Sequence, residues 1–125
     1  MKKLLNLVFL VGLFVAFATT DALSQEVINQ TDCDFRVSVD YDINCNYAGS
    51  QVIDVPANSS VVLTVPFGAQ ITESKGHPIG VNCVYRIGSP NCSTFPLTSS
   101  PTCISFSPCS NYTATLAPFN HIILE

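Results

Sequence analysis

Between Phe35 and Ile43 the chain alternates strictly. Phe35, Val37, Val39, Tyr41 and Ile43 are apolar or aromatic, and Arg36, Ser38, Asp40 and Asp42 between them are polar. A period of two puts one set on each side of an extended chain, so this run predicts a strand with one buried and one wet face. Ile79, Val81, Cys83, Tyr85 and Ile87 repeat the pattern against Gly80, Asn82, Val84 and Arg86 and predict a second strand. Shorter runs at 26–29, 51–55, 60–65, 70–73, 103–107, 112–116 and 121–124 complete the set. No apolar i, i+3, i+4 stripe is sustained after Ser24, which leaves little room for helix.

Prolines separate these runs. Pro56, Pro66, Pro78, Pro90, Pro108 and Pro118 fall between them, where a residue without an N–H does least harm to a sheet ladder. The expectation is an all-β fold, a small antiparallel β-sandwich of about seven to nine short strands with Greek-key-like connections. Pro56-Ala57-Asn58-Ser59 reads as a hairpin turn joining 51–55 to 60–65. Ser74–Pro78 reads as a turn, and Cys92–Thr102, rich in Ser, Thr and Pro, as a long loop. The core should draw on Phe35, Val37, Val39, Tyr41, Val61, Leu63, Val65, Val81, Tyr85 and Ile87.

Residues Met1 to Ser24 change the picture of composition. Lys2 and Lys3 precede an apolar stretch from Leu4 to Ala18, and Ala22-Leu23-Ser24 offers a small-residue cleavage site before Gln25. The apolar stretch is about 15 residues, short of the roughly 20 that span a bilayer, so it reads as a cleaved signal peptide over 1–24. The remainder, 25–125, is expected to form a single β-sandwich domain, secreted to an extracellular or periplasmic space, with no stable membrane insertion after cleavage. Without the leader, Arg36, Lys75 and Arg86 stand against eight carboxylates, so the charge is more negative than the −4 of the whole chain. Three scattered cations on an acidic chain argue against nucleic acid or an anionic membrane as partner.

All six cysteines, Cys33, Cys45, Cys83, Cys92, Cys103 and Cys109, follow the leader. An even set in an exported chain reads as a disulfide framework. The smallest gap leaves five residues between cysteines, wider than a zinc knuckle. Cys33 and Cys45 flank one predicted strand whose ends lie roughly 30 Å apart, at about 3.3 Å per residue, beyond the reach of a disulfide. Cys103–Cys109 is the favoured local closure, with Cys92–Cys103 competing.

Chemistry is sparse. Asp40, Asp42, Asn44 and Asn46 resemble the start of a calcium loop, but Cys45 stands where such a loop needs Gly and Gln51 where it needs Glu. A solvated strand face accounts for them. His77 and His121 lack a spaced third metal ligand. No G-x-S-x-G occurs, and an oxidised even set of thiols leaves no nucleophilic Cys. No catalytic, cofactor or metal constellation is assembled, and the chain is read as not an enzyme. Sequons at Asn29, Asn58, Asn91 and Asn111 fall in or beside turns; the Met-Lys-Lys opening has a bacterial character, and no glycan is expected on them.

The segment Val27-Ile28-Asn29, Cys33, Phe35-Arg36-Val37, followed by the Pro56–Ser60 turn, resembles the first strands of thaumatin-like proteins. Those proteins are longer and richer in Cys, and nothing after Gly68 follows their pattern, so neither function nor residues are carried over. The expected function is a non-catalytic binding or structural module that recognises a protein or glycan through end loops, with Ser74, Lys75 and His77 on one loop and Phe95, Pro96 and Leu97 on the other. The alternative is a secreted inhibitor of an extracellular hydrolase that presents Phe95–Leu97 between disulfides.

Overall fold

The computed structural model describes residues 25–104, 107–118 and 120–125; the leader assigned to 1–24 lies outside them. Among the described residues nine strands form two sheets: β1 (Gln25–Asn29), β2 (Phe35–Ile43), β3 (Asn46–Val55), β4 (Ser59–Leu63), β5 (Gln70–Pro78), β6 (Tyr85–Gly88), β7 (Thr98–Ser99), β8 (Ala114–Ala117) and β9 (His121–Leu124). One sheet has the order β4-β1-β9-β8-β7 and the other β3-β2-β5-β6. Every neighbouring pair is antiparallel except β1 and β9, which run parallel. The expected all-β, two-sheet, disulfide-stapled architecture is what forms.

The alternation in β2 works as read. Phe35, Val37, Val39 and Tyr41 are buried between the sheets, and Ile43 is half out of the core where the strand reaches its hairpin. Val27, Val55, Leu63, Ile71, Tyr85, Ile87, Ala114, Leu116, Ile122 and Leu124 complete the shared core. Val61, Val65 and Val81, expected in it, are only partly buried against its margin. Tyr112 ties the layers together: its ring meets Phe35 edge-on at 4.8 Å and Tyr85 at 6.2 Å, and its hydroxyl donates to the Cys83 carbonyl. Burial pushes that phenol up to about 12.

The second long strand is misplaced by the sequence pattern. Ile79–Ile87 is not one strand: Gly80 has φ +82°, and Ile79 and Val84 are exposed. The strand lies earlier, and β5 runs straight through the expected turn at Ser74–Pro78. The turn-like residues there have a different use. Gly76 faces Val37 on β2, and a Cβ on it would sit 2.6 Å from the Arg36 carbonyl oxygen and 2.9 Å from the Tyr85 ring. Glycine here permits close packing rather than a bend. Of the candidate strand at 103–107, Cys103 and Ile104 are irregular, and 105–106 lie outside the described residues.

The Pro56–Asn58 turn forms, with Asn58 at φ +51°, but it does not close a hairpin. It carries the chain from β3 in one sheet to β4 in the other, where β4 pairs with β1. The tight hairpin is Asn44–Cys45, between Ile43 and Asn46, with φ +51° and +62° at its two central residues. That is type I′ geometry, which normally recruits Gly at the second position; Cys stands there instead.

The disulfides are Cys33–Cys109, Cys45–Cys92 and Cys83–Cys103, with Cα separations of 5.8, 5.1 and 5.4 Å. Cys33 and Cys45 stay apart, as the strand between them requires. The favoured closure Cys103–Cys109 and its competitor Cys92–Cys103 do not form. Each of Cys92, Cys103 and Cys109 instead leaves its own segment for a partner beside a strand.

Asn29 closes one end of the sandwich. Its side chain is 1% exposed. Nδ2 donates to the carbonyls of Cys33, Val55 and Pro56 at 2.7, 3.2 and 3.0 Å, and Oδ1 accepts from the Thr31 amide and hydroxyl. The first sequon is therefore consumed as structure. Asn29→Ala would leave buried carbonyls without donors, and unfolding of the oxidised protein in urea should show a loss of about 2–4 kcal/mol.

Candidate functional site

The outer face of the β3-β2-β5-β6 sheet carries the charge. The buried side of β2 uses Phe35, Val37 and Val39, so Arg36, Ser38 and Asp40 point to solvent. Register then sets their neighbours. Arg36 stands between Asp54 on β3 and His77 on β5. Ser38 stands between Val52 and Lys75, and Lys75 faces Arg86 on β6. Asp40 stands between Ser50 and Glu73. The cations expected to be scattered are thus gathered: Arg36, Lys75 and Arg86, with His77, form one contiguous patch flanked by acids.

The three cations are not equivalent. Arg36 Nε and Nη2 donate to the two carboxylate oxygens of Asp54 at 2.8 and 3.0 Å. The guanidinium holds Asp54 below the usual carboxylate range, first by this hydrogen bond. Lys75 and Arg86 have no such partner: among the described residues neither has a carboxylate oxygen within 4.0 Å. Arg86 instead lies 5.7 Å from the centre of the Phe95 ring, within cation–π range. Ser93 donates to Glu73 at 2.8 Å and accepts from the Phe95 amide at 3.1 Å, which sets the ring at the sheet margin. Asp40, Glu73, Ser74, Lys75, Arg86 and Phe95 enclose a cleft of about 160 Å³.

The expected site residues divide. Lys75 and His77 lie on this face, and Phe95 at its rim. Ser74 points the other way, buried, donating to the Ser38 carbonyl at 3.1 Å and sharing a hydrogen bond with the Tyr85 hydroxyl at 3.0 Å. Pro96 and Leu97 are pinned between the sheets: the Pro96 carbonyl accepts from Gly88 of β6 and the Leu97 carbonyl from Leu116 of β8. The Phe95–Leu97 segment is therefore a crossing strut held by its backbone, with Pro96 and Leu97 exposed and Phe95 half-buried. Arg36, Asp40, Asp54, Glu73 and Arg86 were not anticipated as site residues. The alternation in 35–43 already placed Arg36 and Asp40 on one wet face; the β5 and β6 neighbours were hidden by the misplaced strand.

Larger clefts lie at the opposite end, two of them beside disulfides. One of about 680 Å³ sits between Gly80–Val84 and Pro101–Ile104, around Cys83–Cys103, with no ionisable side chain lining it. The other, about 430 Å³, lies beside Cys33–Cys109 and includes Asp32 and Glu125. Asp40 and Asp42 remain on the extended strand while Asn44 turns at the hairpin, so the acidic ladder does not curl around a point. Among the described residues no group of three His, Cys, Asp or Glu is placed to hold a metal ion, and no helix is long and apolar enough to cross a membrane. No protein-family model, curated protein or solved structure matches this chain.

Asp40 reports on the face. Burial raises its pKa, repulsion from Glu73 and Asp42 adds to the rise, and Lys75 opposes it. A carboxyl whose pKa is raised by folding adds stability at low pH and loses it as pH climbs through the raised value. Asp40→Asn should therefore be more stable than the parent at pH 7, by under about 1 kcal/mol because the group is largely solvated. The gain should shrink as pH falls toward about 3, where both states are protonated; thermal denaturation across that range measures it.

Proposed function

We propose that this chain is an exported, non-catalytic binding module that recognises a protein or glycan with the outer face of its four-stranded sheet. One observation carries the reading. Every Lys and Arg of the described residues stands on that face, and two of the three, Lys75 and Arg86, have no carboxylate within 4.0 Å. A cation left without a counter-ion beside an aromatic ring suits an anionic group on a ligand, such as a carboxylate of an acidic peptide or of a uronic or sialic acid.

The flanking acids refine the choice. Asp40 and Glu73 border the cleft, and the chain is acidic overall. A long polyanion would be repelled at a distance, whereas one or two anionic groups seated between Lys75 and Arg86 would not. The leader and the three disulfides support export, because such cross-links persist in oxidising compartments. The strand scaffold supports a preformed site, so binding would cost little ordering.

Binding should be measured on an array of neutral, uronate-bearing, sialylated and sulfated glycans, with acidic and basic peptides in parallel. The paired reversal Lys75→Glu with Arg86→Glu should weaken any captured ligand by at least about tenfold, and added salt should do the same. Thr115→Glu, on the other sheet, should leave it unchanged. Ligands bound equally well by the reversed protein would rule this face out.

A further inference from the structure

The four sheet edges of this sandwich are not treated alike. The β6 edge is covered: its Gly88 amide donates to the Pro96 carbonyl, and Phe95 lies over Arg86. The β7 edge is two residues long. The β4 edge has five residues. The β3 edge has ten, pairs among the described residues only with β2, and carries neither Pro nor Lys. Among the described residues, none of its main-chain groups takes part in a backbone hydrogen bond outside the ladder to β2. Soluble β-proteins normally blunt such an edge with prolines, charges or brevity.

Its chemistry is equally one-sided. The single charged residue of β3, Asp54, is already neutralised by Arg36. On a chain with an excess of acids, two copies meeting at this edge would face little charge repulsion. Val52, 64% exposed, stands in the middle of the strand's regular part. That part has definite limits. At one end Tyr41 faces Gly49 and Asp42 faces Tyr47, so Ala48 is bulged out and the ladder kinks. At the other end the Val55 carbonyl is taken by Asn29. Between them Ser50–Asp54 is regular and unpaired on its outer edge, and Val52 is its midpoint.

The geometry points to self-association through this edge: β3 pairs antiparallel with β3 of a second copy about a two-fold axis at Val52. In that register Val52 meets its own symmetry mate, Gln51 meets Ile53 and Ser50 meets Asp54. No like charges face each other, and the free main-chain groups find partners that only another extended strand supplies. The axis is perpendicular to the sheet, so the two four-stranded sheets become one continuous sheet. Both outer faces then point the same way, and a ligand with repeated groups would meet two sites side by side.

Sedimentation equilibrium of the oxidised protein from about 1 µM to 1 mM tests this. Concentration-dependent dimer is expected, with amides between Ser50 and Asp54 gaining hydrogen-exchange protection as dimer forms. Val52→Lys, which places a charge against its own mate, should weaken dimerisation by at least about tenfold while near-ultraviolet circular dichroism stays native. Ser50→Lys is a second variant of the same kind. Val62→Lys, on the shorter β4 edge, should leave the dimer intact. A protein that stays monomeric at 1 mM overturns the proposal, as does a dimer lost with Val62→Lys but kept with Val52→Lys. These measurements involve no ligand, so they stand or fall apart from the reading of the charged face.

Discussion

One constraint organises the molecule: each disulfide joins the strand framework to the same irregular segment. Between Gly88 and Ala114 the described residues include two strand residues and one short 3-10 turn at Pro108–Ser110. Cys92, Cys103 and Cys109 lie in it. Their partners Cys45, Cys83 and Cys33 lie at the β2–β3 hairpin, between β5 and β6, and between β1 and β2. A segment with so few ladder hydrogen bonds could not hold a fixed path through packing alone. Three cross-links, each worth about 2–4 kcal/mol, remove the freedom that its own hydrogen bonds cannot. The local closures Cys103–Cys109 and Cys92–Cys103 would have shortened the loop without fastening it to anything.

That fastening reaches the charged face. Cys45–Cys92 holds the start of the segment against the hairpin tip, and Ser93 and Phe95 follow directly, one bonded to Glu73 and the other lying over Arg86. Pro96 and Leu97 then cross to the second sheet and close that side of the sandwich. Tyr112 sits between the other two cross-links, touching Phe35 and Tyr85 with its ring and Cys83 through its hydroxyl. The segment that lacks regular structure is thus the one that closes one side of the fold and shapes the rim of the proposed site. Among the described residues, the opposite side, β3 over β4, has no such cover.

How much of this the sequence declares depends on the range of the signal. The β2 alternation is local, strict and correct, because a strand between two neighbours with one buried face leaves a period-two trace. Class, strand number and the separation of Cys33 from Cys45 follow from equally local facts. The failures share a cause. Gly76 and Pro78 look like turn residues, yet Gly76 answers to the Arg36 carbonyl and the Tyr85 ring across the sheet. Cys45 occupies a left-handed turn position that Gly would have advertised. Pro56–Asn58 is a true turn whose strands part into different sheets. In each case a tertiary neighbour decides what the residue does, and local propensity cannot see it.

The site was harder to read for the same reason. Arg36, Lys75 and Arg86 are far apart in sequence, and no spacing rule links them. They become neighbours only because β5 lies between β2 and β6 in the register that pairs Ser38 with Lys75 and Lys75 with Arg86. A shift of one residue in β5 would turn Lys75 inward and bring Ser74 and Gly76 to the surface. Ser74 hydrogen-bonded to Tyr85, and Gly76 packed beneath its ring, forbid that shift. The small buried residues that resembled a loop are therefore what hold the cations on one face. The charged patch is a consequence of core packing on the other side of the same strand.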